Sequence, residues 1–250
     1  IHMKELMDSS LISTQNILKK LFLLFIFLII ILAIYILLNY FKPIEKIRIN
    51  NLLYEDIQSI SIDGMLFRDL NKNNVLDTYE DYRLDAETRS DDLLSQMNLE
   101  EKIGQMFHPP FTLKPDFWML LYEIAIRGNK LPETQILVDH ISHFNLYGNP
   151  APIELAKKIN HFQKIASKTR LGIPVTISSD PIHEVPKGGG VASFSVDGFS
   201  KWPSQLGFAA TNDPKIIKEF AEIVKSEYLA VGIRTALHPM SDLATEPRWA

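Results

Sequence analysis

An unbroken apolar stretch from Leu21 to Leu38 most constrains what this chain can fold into, because a helix of that length and composition suits a membrane span. A cleaved signal peptide would call for an apolar stretch of about 7–15 residues and a small-x-small cleavage site. The residues that follow, 39–43, offer no such site. We therefore predict a cytoplasmic tail over 1–20, an uncleaved membrane anchor over 21–41 and a linker over 42–66.

Charge and composition exclude some classes of protein but leave the orientation of this anchor open. Three lysines precede the apolar stretch, and Lys42, Lys46 and Arg48 follow it, so the positive-inside rule gives a tie. The net charge of -4 argues against a nucleic-acid partner. The sequence contains no cysteine, which excludes disulfides and thiolate chemistry within it.

A calcium-binding loop is predicted between Asp69 and Glu80. Oxygen-bearing side chains occupy positions one, three, five, nine and twelve of an EF-hand pattern, and a backbone carbonyl supplies position seven: Asp69, Asn71, Asn73, Asp77, Glu80 and, through its carbonyl, Val75. Position six is Asn74 where the pattern has glycine, and asparagine tolerates the left-handed conformation better than most residues. Two interpretations stay open for 67–82: a structural Ca²⁺ site, or a polar turn whose side chains satisfy backbone groups.

Two short amphipathic helices are predicted after this loop. The first covers residues 87–97 and has an apolar face formed by Leu93, Leu94 and Met97. Asn98 and Glu101 have the spacing of a capping box, which begins a second helix. The apolar positions of that helix are Ile103, Met106 and Phe107. We interpret these positions as core-facing.

Longer helices alternate with buried strands from residue 152 onward. One helix carries a buried stripe formed by Leu155, Ile159, Phe162 and Ala166. The next is predicted to begin with the Asp213 cap and Pro214. Its predicted buried face consists of Ile217, Phe220, Ala221, Val224 and Tyr228. Short apolar runs at 173–178 and 233–237 indicate buried parallel strands, so the alternation predicts an α/β fold with a parallel sheet.

Four segments in this order resemble the barrel domain of family three glycoside hydrolases. They read RSDDLLSQMNLEEKIGQM from Arg89, LGIPVTISSDPIH from Leu171, FSKWPSQLGFAATNDP from Phe199, and EYLAVGIRTALHPMSDLATEPRWA from Glu227. The resemblance implies that residues 83–250 form part of a (β/α)8 TIM-type barrel, incomplete in this chain and preceded by the transmembrane helix. It also implies that Asp180 and Arg248 hold the terminal sugar.

Those two residue types suit a sugar. A carboxylate accepts hydrogen bonds from neighbouring hydroxyls, and a guanidinium donates a fork of them. Judged without the resemblance, Asp180 before Pro181 is more simply a turn-forming cap, and Arg248 is equally a buried partner of Asp242 or Glu246. The joint match of the flanking segments favours the sugar-binding role for Asp180 and Arg248 alone.

The resemblance implies a retaining, exo-acting β-glucosidase-like hydrolase that removes terminal β-D-glycosyl residues from a β-glucoside or oligosaccharide, without a catalytic cofactor. In this family the nucleophilic aspartate and the acid/base glutamate lie beyond the position of Arg248, so we expect this chain to be an inactive fragment with part of the sugar site. The alternative is a non-catalytic, membrane-tethered carbohydrate-binding or structural protein. Since such a hydrolase acts on external sugars, the part after the anchor is expected in the periplasm or outside the cell.

Overall fold

The computed structural model describes residues 2–52, 57–113, 130–148, 150–180, 183 and 198–238. The chain divides into two units, and the boundary lies between Ile47 and Arg48. Each unit has its own internal organisation.

The described part of the first unit is helical. Helix α1 spans His2–Phe41, and helix α2 (Pro43–Leu52) continues across the boundary into the second unit. Every described side chain from Leu21 to Leu38 is exposed except Ile36, which is half-buried. Among the described residues, one helix is long and apolar enough to cross a membrane, and it lies near the N-terminus, where a signal sequence passes the same test.

A β-hairpin occupies part of the region for which we predicted a linker. Strand β1 (Gln58–Ile62) pairs antiparallel with β2 (Met65–Asp69). The two turn residues, Asp63 and Gly64, have φ of 50° and 76°, and positive φ at both central positions matches a type I′ hairpin turn. Together with α2, these strands give the predicted linker over 42–66 more regular structure than its composition indicates. Each strand has five residues, and so short an alternation does not stand out from the mixed charges around it.

Two capped helices follow the hairpin and its loop. Helix α3 spans Ala86–Gln96 and α4 spans Leu99–Gly104. The predicted capping box of α4 is confirmed: Asn98 Oδ1 accepts from Glu101 N at 2.8 Å, and Glu101 Oε2 accepts from Asn98 N at 2.9 Å. Two of the orphan N–H groups at this helix start are therefore satisfied by side chains.

The prediction that α3 and α4 bury their apolar positions is wrong for most of them. No residue of α3 is fully buried, and Leu94 is exposed. Ile103, Met106 and Phe107 are exposed as well. The amphipathic pattern identifies an apolar face but does not say what packs against it.

The main sheet has four parallel strands in the order β3-β4-β5-β6. They are β3 (Pro110–Phe111), β4 (His143–Leu146), β5 (Thr176–Ser179) and β6 (Ile233–Ala236). Helices lie between them along the chain: α5 (Pro132–Val138), α6 (Pro152–Ala166), α7 (Gln205–Thr211) and α8 (Pro214–Val231). This confirms the α/β fold with a parallel sheet. The described strands form an open sheet, so a closed barrel stays a prediction.

The core lies between this sheet and helix α6. The predicted stripe of α6 is confirmed, because Leu155, Ile159, Phe162 and Ala166 are all buried. The ring centroid of Phe162 lies 5.3 Å from that of Phe111 and 6.0 Å from that of Phe144. Burying aromatic rings of this size is the largest apolar gain available to the sheet.

Helix α8 begins as predicted but buries less of itself. The Asp213 carboxylate caps it by accepting from Lys215 N at 2.9 Å. Val224 and Tyr228 are buried, whereas Ile217 is 46% exposed. The prediction is therefore right for the second half of the helix and wrong at Ile217 and at Ala221, which is also exposed. Periodicity marks the face but not how far along the helix the sheet extends.

Glu133, in the first turn of α5, joins this helix to α6 through charged side chains. Its Oε1 atom lies 2.5 Å from Lys158 Nζ and 3.2 Å from His161 Nε2. Burial would raise the pKa of the Glu133 carboxyl, but the hydrogen bonds from His161 and Lys158 outweigh burial and lower this pKa to about 2. The carboxylate therefore stays ionised between two cationic or potentially cationic partners.

The pKa of the Glu133 carboxyl in the folded protein lies below its unfolded value of 4.5. The free energy that the ionised carboxylate contributes to folding is therefore fully present above pH 4.5 and is lost as the pH falls toward 2. We expect Glu133→Gln to destabilise the protein by roughly 1–3 kcal/mol near neutral pH, and the gap to the unsubstituted protein to close on acidification. Thermal melts of both proteins across this pH range measure the gap. Glu219→Gln, at an exposed position of α8, is the control. A gap that does not depend on pH would contradict the assignment.

Candidate functional site

Asp180 stands at the carboxyl end of β5, directly after Ser179. Because parallel strands end at a common edge, the residues after β4 and β6 are expected at this edge too. Leu237, which follows β6, donates from its N–H to Ser179 O at 3.0 Å and so continues the pairing up to this edge. In barrel enzymes the carboxyl edge is where substrates bind.

The backbone of Asp180 is held by two hydroxyl groups. Its carbonyl oxygen accepts from Tyr228 Oη at 2.9 Å and from Ser179 Oγ at 3.0 Å. The side chain is half-buried, and within the described residues no donor reaches its carboxylate. A carboxylate in this position has the chemistry to accept hydrogen bonds from a ligand.

A second set of hydrogen bonds lies three residues further along the chain. The buried ring of His183 places Nε2 2.6 Å from Glu227 Oε2. The same carboxylate accepts from Ser200 N at 3.1 Å and from Ser200 Oγ at 3.0 Å. Trp202 donates from Nε1 to Ser200 Oγ at 2.9 Å and from its backbone N to His183 O at 2.7 Å. Glu227 therefore joins the chain before and after residues 184–197.

Burial lowers the pKa of His183 below its usual value, and the neighbouring Glu227 carboxylate opposes this only in part. A lowered pKa favours the neutral ring, in which a donor at Nε2 leaves Nδ1 as an acceptor. The buried Nδ1 atom has no partner among the described residues. In that state the contact with Glu227 is a hydrogen bond from a neutral ring to a carboxylate.

Polar side chains line the sheet face opposite the helices. Ser178 is fully buried, and its Oγ lies 2.8 Å from His108 Nε2 and 2.8 Å from Asn145 Oδ1. Burial, and then the charge of the nearby His108, lower the pKa of His143 on the same face. This cluster was not predicted from the sequence, although the polar residues alternating with Phe144 in β4 are a signal for it.

Arg248, the second predicted sugar ligand, lies outside the described residues, as do Asp242 and Glu246. The structure therefore positions one of the two predicted sugar ligands. It also shows Tyr228 bonded to the Asp180 carbonyl and Glu227 bonded to His183. From the sequence, Tyr228 was predicted as a packing residue and Glu227 was not singled out. A buried tyrosine needs a partner for its hydroxyl, and that requirement is the signal that was available.

The loop predicted to bind calcium is closed by its own hydrogen bonds. The Asp69 carboxylate, 1% exposed, accepts from Asn73 N at 3.1 Å and from Asn74 N at 2.9 Å. The Glu80 carboxylate closes the far end by accepting from Asp77 N at 3.1 Å. Asn74 has φ of 61°, the left-handed conformation expected at the sixth position. Lys72, at the fourth position, also has a positive φ, of 63°, which was not predicted.

The amide groups of this loop are oriented for a polar turn. Asn71 and Asn73 donate from Nδ2 to Asp77 Oδ2 at 2.7 Å and 2.8 Å, whereas calcium requires oxygens at the centre. Among the described residues no group of three or more His, Asp or Glu side chains is arranged to hold a metal ion. Turning both amides by 180° would bring their oxygens toward a calcium ion. Asn71 Oδ1 and Asn73 Oδ1 accept from Asn73 N at 3.2 Å and from Val75 N at 2.7 Å, however, and turning the amides would cost these two bonds. The donor set therefore fits calcium in type and spacing but not in its present orientation.

This loop lies against the segment that precedes β5. Lys72 Nζ donates to Thr169 O at 2.6 Å and to Leu70 O at 2.9 Å. Tyr79 Oη donates to Leu171 O at 3.3 Å. Burial lowers the pKa of Lys72, against the raising effect of Asp69 and Glu80. The loop is thus attached near the amino end of β5, whereas Asp180 follows its carboxyl end.

Comparison with known proteins shows the family of the chain. The profile described as "Glycosyl hydrolase family 3 N terminal domain" matches residues 98–250. The chain is 45% identical over 183 residues to "Beta-glucosidase C" of Emericella nidulans. This alignment covers 73% of the chain and 28% of that protein. It is 43% identical over 192 residues to "Periplasmic beta-glucosidase/beta-xylosidase" of Dickeya chrysanthemi. This second alignment covers 76% of the chain and 29% of that protein.

A third similar protein, "Probable beta-glucosidase C" of Aspergillus oryzae, is 42% identical over 182 residues, with 72% of the chain and 28% of that protein covered. The chain thus spans less than a third of the length of these curated relatives. The family profile, in contrast, covers more than half of the chain and contains Asp180 and the whole described parallel sheet. On these grounds, the chain belongs to glycosyl hydrolase family 3.

Proposed function

We propose that this chain is the N-terminal, sugar-binding part of an exo-acting β-glucosidase-like hydrolase. The observation that carries the proposal is the position of Asp180, whose carboxylate stands at the carboxyl edge of a parallel sheet while its backbone is held in place. The relatives named as β-glucosidases support the substrate class, a terminal β-D-glucosyl residue of a glucoside or oligosaccharide.

In this proposal Asp180 accepts hydrogen bonds from two neighbouring hydroxyls of the terminal sugar, and Arg248 donates a fork of bonds to others. Retaining hydrolysis requires a nucleophile and an acid/base about 5–5.5 Å apart. We assign neither role to Asp242 or Glu246 and place both catalytic carboxyls outside these 250 residues. The chain then orients the sugar, and a further part of the protein breaks the bond.

The test compares the protein as its host makes it with residues 1–250 alone, using an aryl β-glucoside. We expect hydrolysis by the host protein and none by residues 1–250. Asp180→Asn in the host protein should lower kcat/KM by about 100-fold or more, because two hydrogen bonds to a charged acceptor are weakened. Asp91→Asn, at an exposed position of α3, is the matched control.

Other outcomes of this test would change the proposal. Turnover by residues 1–250 that is lost when Asp242 or Glu246 is replaced would reassign the catalytic carboxyls to this chain. Glucose binding without hydrolysis by the host protein would favour a non-catalytic carbohydrate-binding protein.

We also propose that α1 anchors the protein in a membrane and that the sugar site lies outside the cytoplasm. The exposed apolar side chains from Leu21 to Leu38 support the anchor, and the periplasmic relative supports the location. The chain should stay with membranes during alkaline carbonate extraction, whereas a chain beginning at Ile44 should not. A mature N-terminus beyond residue 39 in the host would show instead that the segment is a cleaved signal peptide.

Finally, we propose that the loop from Asp69 to Glu80 binds a structural Ca²⁺ ion. With both amides turned, the side chains of Asp69, Asn71, Asn73, Asp77 and Glu80 and the carbonyl of Val75 would hold it. Calcium in the millimolar range should then raise the Tm, with a Kd of about 10⁻⁴–10⁻³ M. Asp69→Asn with Glu80→Gln should abolish the shift, while magnesium serves as the ion control. An unchanged Tm of the folded protein in calcium would favour the polar turn.

A further inference from the structure

We propose that Tyr228 and Glu227, neighbouring residues of α8, are positioning residues that fix Asp180 for sugar binding. The inference rests on the proposed function, since it concerns how the same site holds Asp180 in position to bind the sugar. Neither residue has to touch the substrate. Both act on the short segment 180–183 from one helix.

Tyr228 acts on the first residue of this segment. Its hydroxyl donates to Asp180 O at 2.9 Å, and Ser179 Oγ donates to the same oxygen at 3.0 Å. A carbonyl oxygen has two lone pairs, so these two donors satisfy it and fix the orientation of the peptide group that follows Asp180. The direction of the Asp180 Cα–Cβ bond is fixed with it.

Glu227 acts on the last residue of the segment. Its carboxylate pairs with His183 Nε2 at 2.6 Å and is itself held by the N–H and hydroxyl of Ser200. The His183 ring packs against Tyr228, with centroids 5.3 Å apart, and edge-on against Phe199 at 5.6 Å. The two ends of the segment are therefore held by adjacent side chains that also share an aromatic contact.

The helix that carries these groups is itself fixed by the core. Val224, Tyr228 and Val231 are buried. Gly232, with φ of 96°, is the C-cap residue directly after α8. A methyl group at position 232 would lie 2.8 Å from Ile159 Cγ2, so α8 and α6 meet in close contact there. Tyr228 is one turn before this contact. Packing of the two helices thus sets where the Tyr228 hydroxyl lies and, through it, where Asp180 lies.

A displacement of about 1 Å at a group that orients the substrate lowers the rate by up to about 100-fold. A purely structural role for Tyr228 would rest on its ring, which packs among buried residues. Replacement by phenylalanine keeps the ring and removes only the donor to Asp180 O. That substitution separates the two roles.

The experiment uses the host protein and an aryl β-glucoside. Tyr228→Phe should lower kcat/KM by about tenfold, mainly through a higher KM, because one donor to the half-buried Asp180 carbonyl is lost. In an Asp180→Ala background the same substitution should change kcat/KM by less than about twofold, since the group it positions is gone. Glu227→Gln should behave in the same way. Tyr82→Phe, at an exposed tyrosine, and Glu219→Gln are the matched controls.

The outcomes separate the inference from the proposed function. An unsubstituted host protein that hydrolyses no β-glucoside overturns the proposed function and removes the premise of the inference. An active protein in which Tyr228→Phe has equal effects with and without the Asp180 carboxylate overturns the inference alone. An unchanged kcat/KM in Tyr228→Phe overturns it as well.

Discussion

Packing of helices onto one face of the parallel sheet is the constraint on which the rest of the described fold depends. Phe144 and Ile177, both fully buried, belong to one apolar cluster with Phe162 of α6. Burying each such side chain contributes about 1.5–3 kcal/mol to the stability of the fold. The side chains on this face of each strand are therefore apolar. The alternation of a strand then leaves Asn145 and Ser178 to the opposite face, where they bond to each other. The polar face of the sheet is thus a consequence of the apolar face that the helices cover.

Within the described residues, hydrogen bonds from hydroxyl groups organise the carboxyl edge at Asp180. Hydroxyl groups of Ser179 and Tyr228 hold its backbone, and nearby Glu227 bonds to His183 and Ser200. Such hydrogen bonds are directional, and those from Ser179 and Tyr228 end on the Asp180 carbonyl and not on its carboxylate. Strong charge-charge contacts of this unit lie elsewhere, between Glu133 and Lys158 and between Glu101 and Arg170. Charged pairs thus connect separate parts of the chain, and hydroxyl groups orient the backbone at Asp180.

The sequence predicts the parts of this structure that depend on periodicity and on local hydrogen bonding. The stripe of α6, the Asn98 capping box and the strands around residues 176 and 233 follow from such patterns, and Asp180 follows from the family resemblance. The exposure of Ile103 and Ile217 does not follow, because it depends on which elements lie nearby in space. The bonds from Tyr228 and Glu227 to the segment 180–183 do not follow either. They join residues more than 40 positions apart, and no local pattern specifies such a pairing.

The loop around Lys72 and the edge at Asp180 are attached to opposite ends of the same strand, β5. Lys72 and Tyr79 hold carbonyl groups of residues 169 and 171, ahead of the strand, while Asp180 follows it. In barrel proteins the amino-terminal face of the sheet serves stability and the carboxyl-terminal face serves binding. Substitutions in the loop can therefore alter the stability of the fold without moving Asp180. The two ends of β5 are, in this sense, open to independent change by evolution or by engineering.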